Sequence, residues 1–228
     1  MRKAQKLRRT IAAVIISAAV IAGIAIYPEF QAPTSPVSVT AEGDAAIALE
    51  QLEVKGRASK TGYERSQFGD GWSEVDGCDT RNIILHRDLK DTQINDRCQV
   101  VSGVLHDPYT GNTIEFKRGA ETSDDIQIDH VVALSDAWQK GAQQLSFVER
   151  VQLANDPLEL LAVDGAANQQ KGDGDAATWL PKNKSFRCQY IARQIAVKQK
   201  YRLWVTRAEK DAMLRVLSSC PGQPLPTS

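Results

Sequence analysis

Ile128-Asp129-His130-Val131-Val132-Ala133-Leu134 decides the fold when read with Leu160-Leu161-Ala162-Val163-Asp164-Gly165-Ala166-Ala167-Asn168-Gln169-Gln170-Lys171-Gly172-Asp173. Each stretch opens on a short apolar run with β-branched residues, the mark of a buried strand. Asp164-Gly165 turns the chain, and a helix carrying Asn168 and Lys171 follows. The order is strand, excursion, strand, turn, helix. Polar groups stand where the pieces meet. Side chains alternate along a strand, so Asp129 and His130 point to opposite sides while it stays regular. They can share a site only where the strand ends or twists.

Working outward, Ile126 to Val132 is the full extent of the first strand, and Gly119 to Asp125 is loop. A hairpin precedes it: Gln99 to Leu105, a turn at Asp107-Pro108-Tyr109-Thr110-Gly111-Asn112, then Thr113 to Phe116 with Ile114 and Phe116 on one face. Ile83-Ile84-Leu85 leads into a short helix ending near Leu89. Within the excursion, Ser135 onward is helical with Ala137 and Trp138 inward. Ser146-x-x-Glu149 has capping-box spacing and starts a helix from Phe147 to about Ala154. Phe186 to Trp204 carries Tyr190, Ile191 and Ile195 on one side. Thr206-x-x-Glu209 caps a last helix with Ala212, Met213, Val216 and Leu217 inward. Further upstream, residues 45–54 are weakly helical with Ile47, Leu49, Leu52 and Val54 as stripe. Residues 60–71 are polar and Gly-punctuated, with Tyr63, Phe68 and Trp72 as anchors. Residues 58–220 therefore read as one α+β domain, behind a linker and weak helix at 28–57 and before a tail at 221–228.

Charge is balanced at 28 basic and 28 acidic residues. The first 25 residues hold five bases and no acid, so the remainder carries 23 bases against 28 acids, a net of −5. A globally basic nucleic-acid binder is excluded, and any such binding needs a local patch. Residues 171–210 supply one, with ten Lys or Arg against Asp173, Asp175 and Glu209. No base-reading motif accompanies it, so little sequence specificity is expected. The basic N-terminus precedes an uncharged run from Ile11 to Tyr27, which predicts export. Residues 1–27 are a signal peptide or a retained anchor, and both readings stay open. The mature protein is expected outside the cell or on the outer face of the cytoplasmic membrane, touching membrane only through residues 11–27. Four cysteines in an exported chain suggest two disulfides. Three pairings can be drawn. The expected one keeps each bridge local, Cys78–Cys98 and Cys188–Cys220. Zinc held by these cysteines is disfavoured, because no Cys-x2-Cys pair exists.

Hydrolysing a phosphodiester needs a base to activate water, a cation to stabilise charge on the phosphate, and a grip on the substrate. Asp129 offers a hard oxygen suited to magnesium or manganese. His130 can take a proton near neutrality. Asn168 brings a carbonyl oxygen, and Lys171, one turn on, could meet a phosphate. Arg81 could grip a phosphate with its fork of donors, or brace its loop through a salt bridge to Asp79. His86 and His106 read as surface residues, and Trp138 and Trp179 as packing. An Asp-His pair alone is weak evidence, and the combination carries more.

The string Asp129-His130-Val131-Val132-x-Leu134, Asn155-Asp156-Pro157, Leu160-Leu161-Ala162-Val163-Asp164 and Asn168-Gln169-Gln170-Lys171-Gly172-Asp173 resembles the exported HNH endonucleases of actinobacteria. That module is in turn related to the C-terminal domain of GmrSD-type restriction nucleases. Gly77-Cys78-Asp79-Thr80-Arg81-Asn82, Asp107-Pro108-Tyr109-Thr110-Gly111, Trp179-Leu180-Pro181 and Arg187-Cys188-x-Tyr190 extend the likeness over roughly 58–220. The resemblance implies a ββα-metal (His-Me finger, HNH) core with an extra N-terminal hairpin and C-terminal helices, disulfide-braced. It implies His130 as base, and Asp129 and Asn168 holding one divalent cation, magnesium or manganese rather than zinc. Arg81, Lys171 and Arg187 are expected on the substrate, the backbone of DNA or RNA, in a monomer. One position departs from the pattern. Glu159 stands where many such modules place the amide that orients the histidine. Glu159 or Asn155 could fill that role, and the alternatives stay open. The rival reading is an exported, non-catalytic module on the same fold that binds nucleic acid or a surface partner. Neither Gly-x-Ser-x-Gly nor His-Glu-x-x-His occurs, so a serine esterase and a zincin are not indicated.

Overall fold

Burial of four of the five residues in each of β6 (Ile126–His130) and β7 (Leu160–Asp164) places these two strands at the centre of the molecule. The computed structural model describes residues 41–120 and 122–226, all within the compact unit Val39–Ser228. The expected signal or anchor at 1–27 and most of the linker lie outside the described residues. No helix among the described residues is long and apolar enough to cross a membrane.

The chain forms α1 (Asp44–Gln51), a two-stranded ribbon of β1 (Glu74–Val75) and β2 (Cys78–Asp79), and α2 (Thr80–Asp88). A three-stranded antiparallel sheet follows: β3 (Lys90–Ile94), β4 (Val100–His106) and β5 (Thr113–Lys117), in that order. Strands β6 and β7 pair antiparallel, with Asp129 opposite Leu161 and His130 opposite Leu160. Between them run α3 (Leu134–Gln139) and α4 (Phe147–Asn155). Helix α5 (Gly165–Lys171) leaves β7 directly, and α6 (Arg187–Lys200) and α7 (Arg207–Leu217) complete the fold. The architecture is a mixed α/β one of the expected order, with strand, excursion, strand and helix contiguous.

Local chemistry explains most of these elements. Both predicted capping boxes form, Ser146 with Glu149 at α4 and Thr206 with Glu209 at α7. Asp164 caps α5 by accepting from the Ala167 N–H at 2.7 Å. A Cβ at Gly165 would stand 2.1 Å from the Asp124 carbonyl oxygen, so only glycine lets the helix start beside that loop. Helix α5 ends at Gly172, φ +54. The β4–β5 turn is tied down by Asp107, which accepts from the Thr110 N–H and hydroxyl and from the Asp164 N–H at the end of β7. The disulfides are Cys78–Cys98 and Cys188–Cys220, as expected.

Two apolar clusters flank the β6–β7 pair. Ile126, Ile128, Leu160 and Ala162 face Ile84, Leu85, Val100, Leu105 and Phe116. Leu161 and Val163 belong to the larger cluster with α1, α3, α4, α6 and α7. A strand covered on both faces reads as a continuous apolar run, and Leu160-Leu161-Ala162-Val163 does so. Helix α1 differs from expectation in phase. Ala45, Ala46, Ala48 and Leu49 are buried, whereas Ile47 is 61% exposed. Small side chains let α1 approach α6 and α7 closely, so the alanines rather than the isoleucine face the core. Strand β3, Lys-Asp-Thr-Gln-Ile, was not expected. It is a polar edge strand with little apolar alternation to announce it.

Candidate active site

Strand β6 sends Gln127 and Asp129 to one side and His130 to the other, then ends. Gln127 and Asp129 meet helix α5 on two rungs. The Asn168 amide donates to Gln127 Oε1 at 2.9 Å, and the Lys171 ammonium donates to Asp129 Oδ1 at 2.9 Å. Strand residues two apart and helix residues three apart have similar spacing, so both rungs close together. Because β6 stops at His130, Asp129 and His130 open into one cavity of 440 Å³ despite the alternation. Asn168, Gln127, Arg81, Arg65, Trp72, Tyr63 and Asp173 also line it.

The Asp129 carboxylate is 5% exposed and held from both sides. Lys171, also donating to the His130 carbonyl at 2.8 Å, takes one oxygen, and the Tyr109 hydroxyl donates to the other. Burial pushes the Asp129 carboxyl upward against the opposing pull of Lys171 and Tyr109. Burial and the neighbouring Asp129 push the Tyr109 hydroxyl far above its usual range, so Tyr109 stays a donor. Tyr109 itself packs edge-on against Trp179 and Tyr190.

The His130 ring lies 3.0 Å through Nε2 from the Ala154 carbonyl and stacks on Trp72, with 6° between the planes. A carbonyl can only accept, so Nε2 carries the proton and Nδ1 is the basic nitrogen. Burial first, then the Arg65 charge, lower the imidazole to about 3, opposed by the Ala154 carbonyl. The ring is therefore neutral at physiological pH, in one tautomer.

Several expected site residues lie elsewhere or do other work. Glu159 is fully buried. One oxygen accepts from the Val132 N–H at 3.1 Å, and the other has no hydrogen-bond partner. It makes no hydrogen bond to His130. Nor does Asn155, whose amide oxygen accepts from the Ser73 N–H and whose nitrogen donates to the Val151 carbonyl. The hydrogen-bond partner of the His130 ring is the backbone carbonyl of Ala154, which has no side-chain signature to read. Lys171 is buried on Asp129 rather than free for a phosphate. Arg81 lines the cavity, but its Nη2 donates to the Ser123 and Ile126 carbonyls at 3.1 Å each, and Asp79 caps α2 through the Asn82 N–H instead of pairing with it. Arg187 donates to the Pro181 carbonyl and lies outside the cavity. His86 and His106 are exposed and bond Thr92 and Thr113, apart from the site.

The basic patch at 171–210 also disperses on folding. Lys171, Lys198, Lys200, Arg202 and Lys210 are each paired with a carboxylate. Lys171 and Lys198 are fully buried, with Asp129 of β6 and Glu209 of α7 buried beside them. Arg65 was missing from the sequence reading. It sits in the polar stretch before the disulfide-linked ribbon, where nothing local marks it.

The cavity's donors are oxygens. Among the described residues, no group of three His, Cys, Asp or Glu side chains is arranged to hold a metal. Asp129 and Asn168 offer a carboxylate and an amide oxygen. Lys171 and Tyr109 use two of the roughly four lone-pair sites of Asp129. Donation by the Asn168 nitrogen leaves its oxygen unclaimed among the described residues. Magnesium is commonly held by one or two carboxylates, waters and substrate phosphate. The set fits magnesium or manganese, and with no thiolate and one imidazole it does not fit zinc.

Fold and site define an α/β protein with an Asp-His pair and a helix amide converging on one cavity. Residues 79–216 match the family described as GmrSD restriction endonucleases, C-terminal domain, and the chain belongs to that family. A protein of Arthroderma benhamiae described as an uncharacterized secreted protein is 34% identical over 217 residues, covering 94% of this chain and all of the relative. That relative is fungal, so the likeness is not confined to actinobacteria. No solved structure matches the chain. The family points to a nuclease.

Proposed function

We propose that the protein is an exported, metal-dependent endonuclease that hydrolyses phosphodiester bonds in DNA or RNA with little sequence specificity. The observation that carries this reading is the convergence of His130, in a fixed neutral tautomer, with Asp129 and Asn168 on one cavity. Export rests on the uncharged run at 11–27 and on the relative's description as secreted.

The residues divide the work as follows. Ala154 holds the His130 Nε2–H, so Nδ1 can accept a proton from water. Trp72 fixes the plane of the ring. Lys171 and Tyr109 hold the Asp129 carboxylate in place, and Gln127 holds Asn168. Asp129 and Asn168 would hold one magnesium or manganese ion, which supplies positive charge to the phosphate and leaving oxygen.

The test is plasmid nicking by the oxidised protein with magnesium, manganese, zinc or EDTA, beside His130→Ala. Cleavage with magnesium or manganese is expected, lost with EDTA and reduced about 10²–10⁴-fold in the variant. A folded, disulfide-bonded protein that binds DNA but fails to cleave it, whichever metal ion is added, would instead be a binding module.

A further inference from the structure

We propose that Arg65 holds a phosphate of the nucleic-acid substrate, on a wall of the cavity built by residues 57–72, outside the family match. The inference rests on the nuclease reading above and adds a substrate-binding residue to it.

The wall is fixed to the fold at several points. The Arg57 guanidinium reaches Asp136 at 2.8 Å and Asp175 at 2.9 Å. The Trp204 indole donates to the Gly56 carbonyl, and the Ala58 N–H to the Gln139 carbonyl. Arg150 donates to the Gln67 carbonyl at 2.8 Å and to its side chain at 3.0 Å. Phe68 is 2% exposed in the main core. The 3-10 turn Arg65–Phe68 thus buries its last residue and leaves its first exposed, and Tyr63, Arg65 and Trp72 line the cavity with Asp129, His130 and Asn168.

The other cations near this cavity are spoken for. Lys171 is paired with Asp129, Arg81 donates to two carbonyls, and Lys60 is paired with Asp173 at 3.2 Å. Arg65 meets no hydrogen-bond or ion-pair partner among the described residues, and it is exposed. Its planar fork suits a phosphate's two oxygens. A chain whose mature part is net acidic needs a local cation to hold a polyanion, and here one projects at the site itself.

One phosphate contact has a measurable signature. The slope of log affinity against log salt changes by about 0.9 per phosphate neutralised. Binding of a short DNA duplex by the full chain, in a His130→Ala background that does not cut, is followed across salt concentrations. Arg65→Ala is expected to flatten the slope by about 1, and Arg65→Lys to restore most of it. In the cleaving protein, Arg65→Ala is expected to raise KM several-fold, since it removes a phosphate contact made on binding. Arg97→Ala, an exposed arginine outside the cavity, serves as control and keeps the slope. A wild type that cleaves while Arg65→Ala keeps slope and KM overturns this proposal alone. A wild type that neither binds nor cleaves overturns the nuclease reading and this proposal with it.

Discussion

Glu159 and Glu209 are both fully buried, and their surroundings could hardly differ more. Glu209 lies between the ammonium groups of Lys140 at 2.6 Å and Lys198 at 3.0 Å. Asp136, Asp175 and Arg57 join the same network, giving three acids and three bases in contact. Glu159, by contrast, takes one backbone N–H and has no ion-pair partner among the described residues. Burial holds its carboxyl well above the usual carboxylate range, which favours the protonated form. A buried charge survives where opposite charges come in with it and is otherwise extinguished by protonation. The network under α3, α6 and α7 is electrically balanced, and Arg57 is its one partly exposed member. The site at the end of β6 is different. Its histidine is neutral, its carboxylate has lone pairs to spare, and its cation Arg65 has no partner among the described residues.

The sharpest way to break this contrast is to remove one cation from the balanced network. Lys140→Met leaves Asp136, Asp175 and Glu209 facing only Arg57 and Lys198. The expected loss is about 3–5 kcal/mol of stability, the usual cost of leaving a buried charge uncompensated. Urea denaturation of the oxidised protein measures it. A loss below about 1 kcal/mol would mean that the network is open to water and that the contrast with the site is false.

A smaller effect follows from Asp175. Burial alone would raise its carboxyl, but the hydrogen bond and charge of Lys140 and the charge of Arg57 outweigh that and hold it at about 2. Its folded value lies below the ordinary 3.8, so its stabilisation is complete above about pH 4 and is lost as pH falls through about 2. Asp175→Asn is expected to cost about 1.5–3 kcal/mol at neutral pH, the range for hydrogen bonds to charged groups. Denaturation of both proteins from pH 7 down to pH 2 should show the gap closing only at the acid end. A constant gap would place the cost in shape rather than charge.

The elements legible in the sequence carried local or periodic signals. The two capping boxes, the β4–β5 hairpin, the paired apolar strands and the contiguous strand–turn–helix around Asp164 all need only neighbours in sequence to be seen. Asp129 and His130 could be singled out for the same reason, since they close β6, and Asn168 because its helix leaves β7 directly. The rest depends on partners far along the chain. Lys140 and Glu209 are 69 residues apart, and the sequence marks Glu209 only as a helix-capping residue. Tyr109 looked like part of a turn, and its hydroxyl on Asp129 spans 20 residues. Ala154 acts through its carbonyl, which every residue has. Arg65 stands out only by what it fails to touch.

The smallest predicted effect separates the two glutamates most cleanly. A protonated carboxyl and a primary amide have nearly the same shape, and both present a carbonyl oxygen. Glu159→Gln can therefore still accept from the Val132 N–H, and the expected change in stability is within about 1 kcal/mol. Glu209→Gln, the same change in atoms, removes the anion between Lys140 and Lys198 and should cost about 3–5 kcal/mol. The pair is measured side by side by thermal and urea unfolding. Nuclease activity adds a second reading. Glu159 touches Val132 and not His130, so Glu159→Gln should retain cleavage within about ten-fold, since no general base is removed. A fall as deep as that of His130→Ala, in a protein of unchanged stability, would show that Glu159 works on the histidine after all. The Ala154 carbonyl would then not be what sets its tautomer.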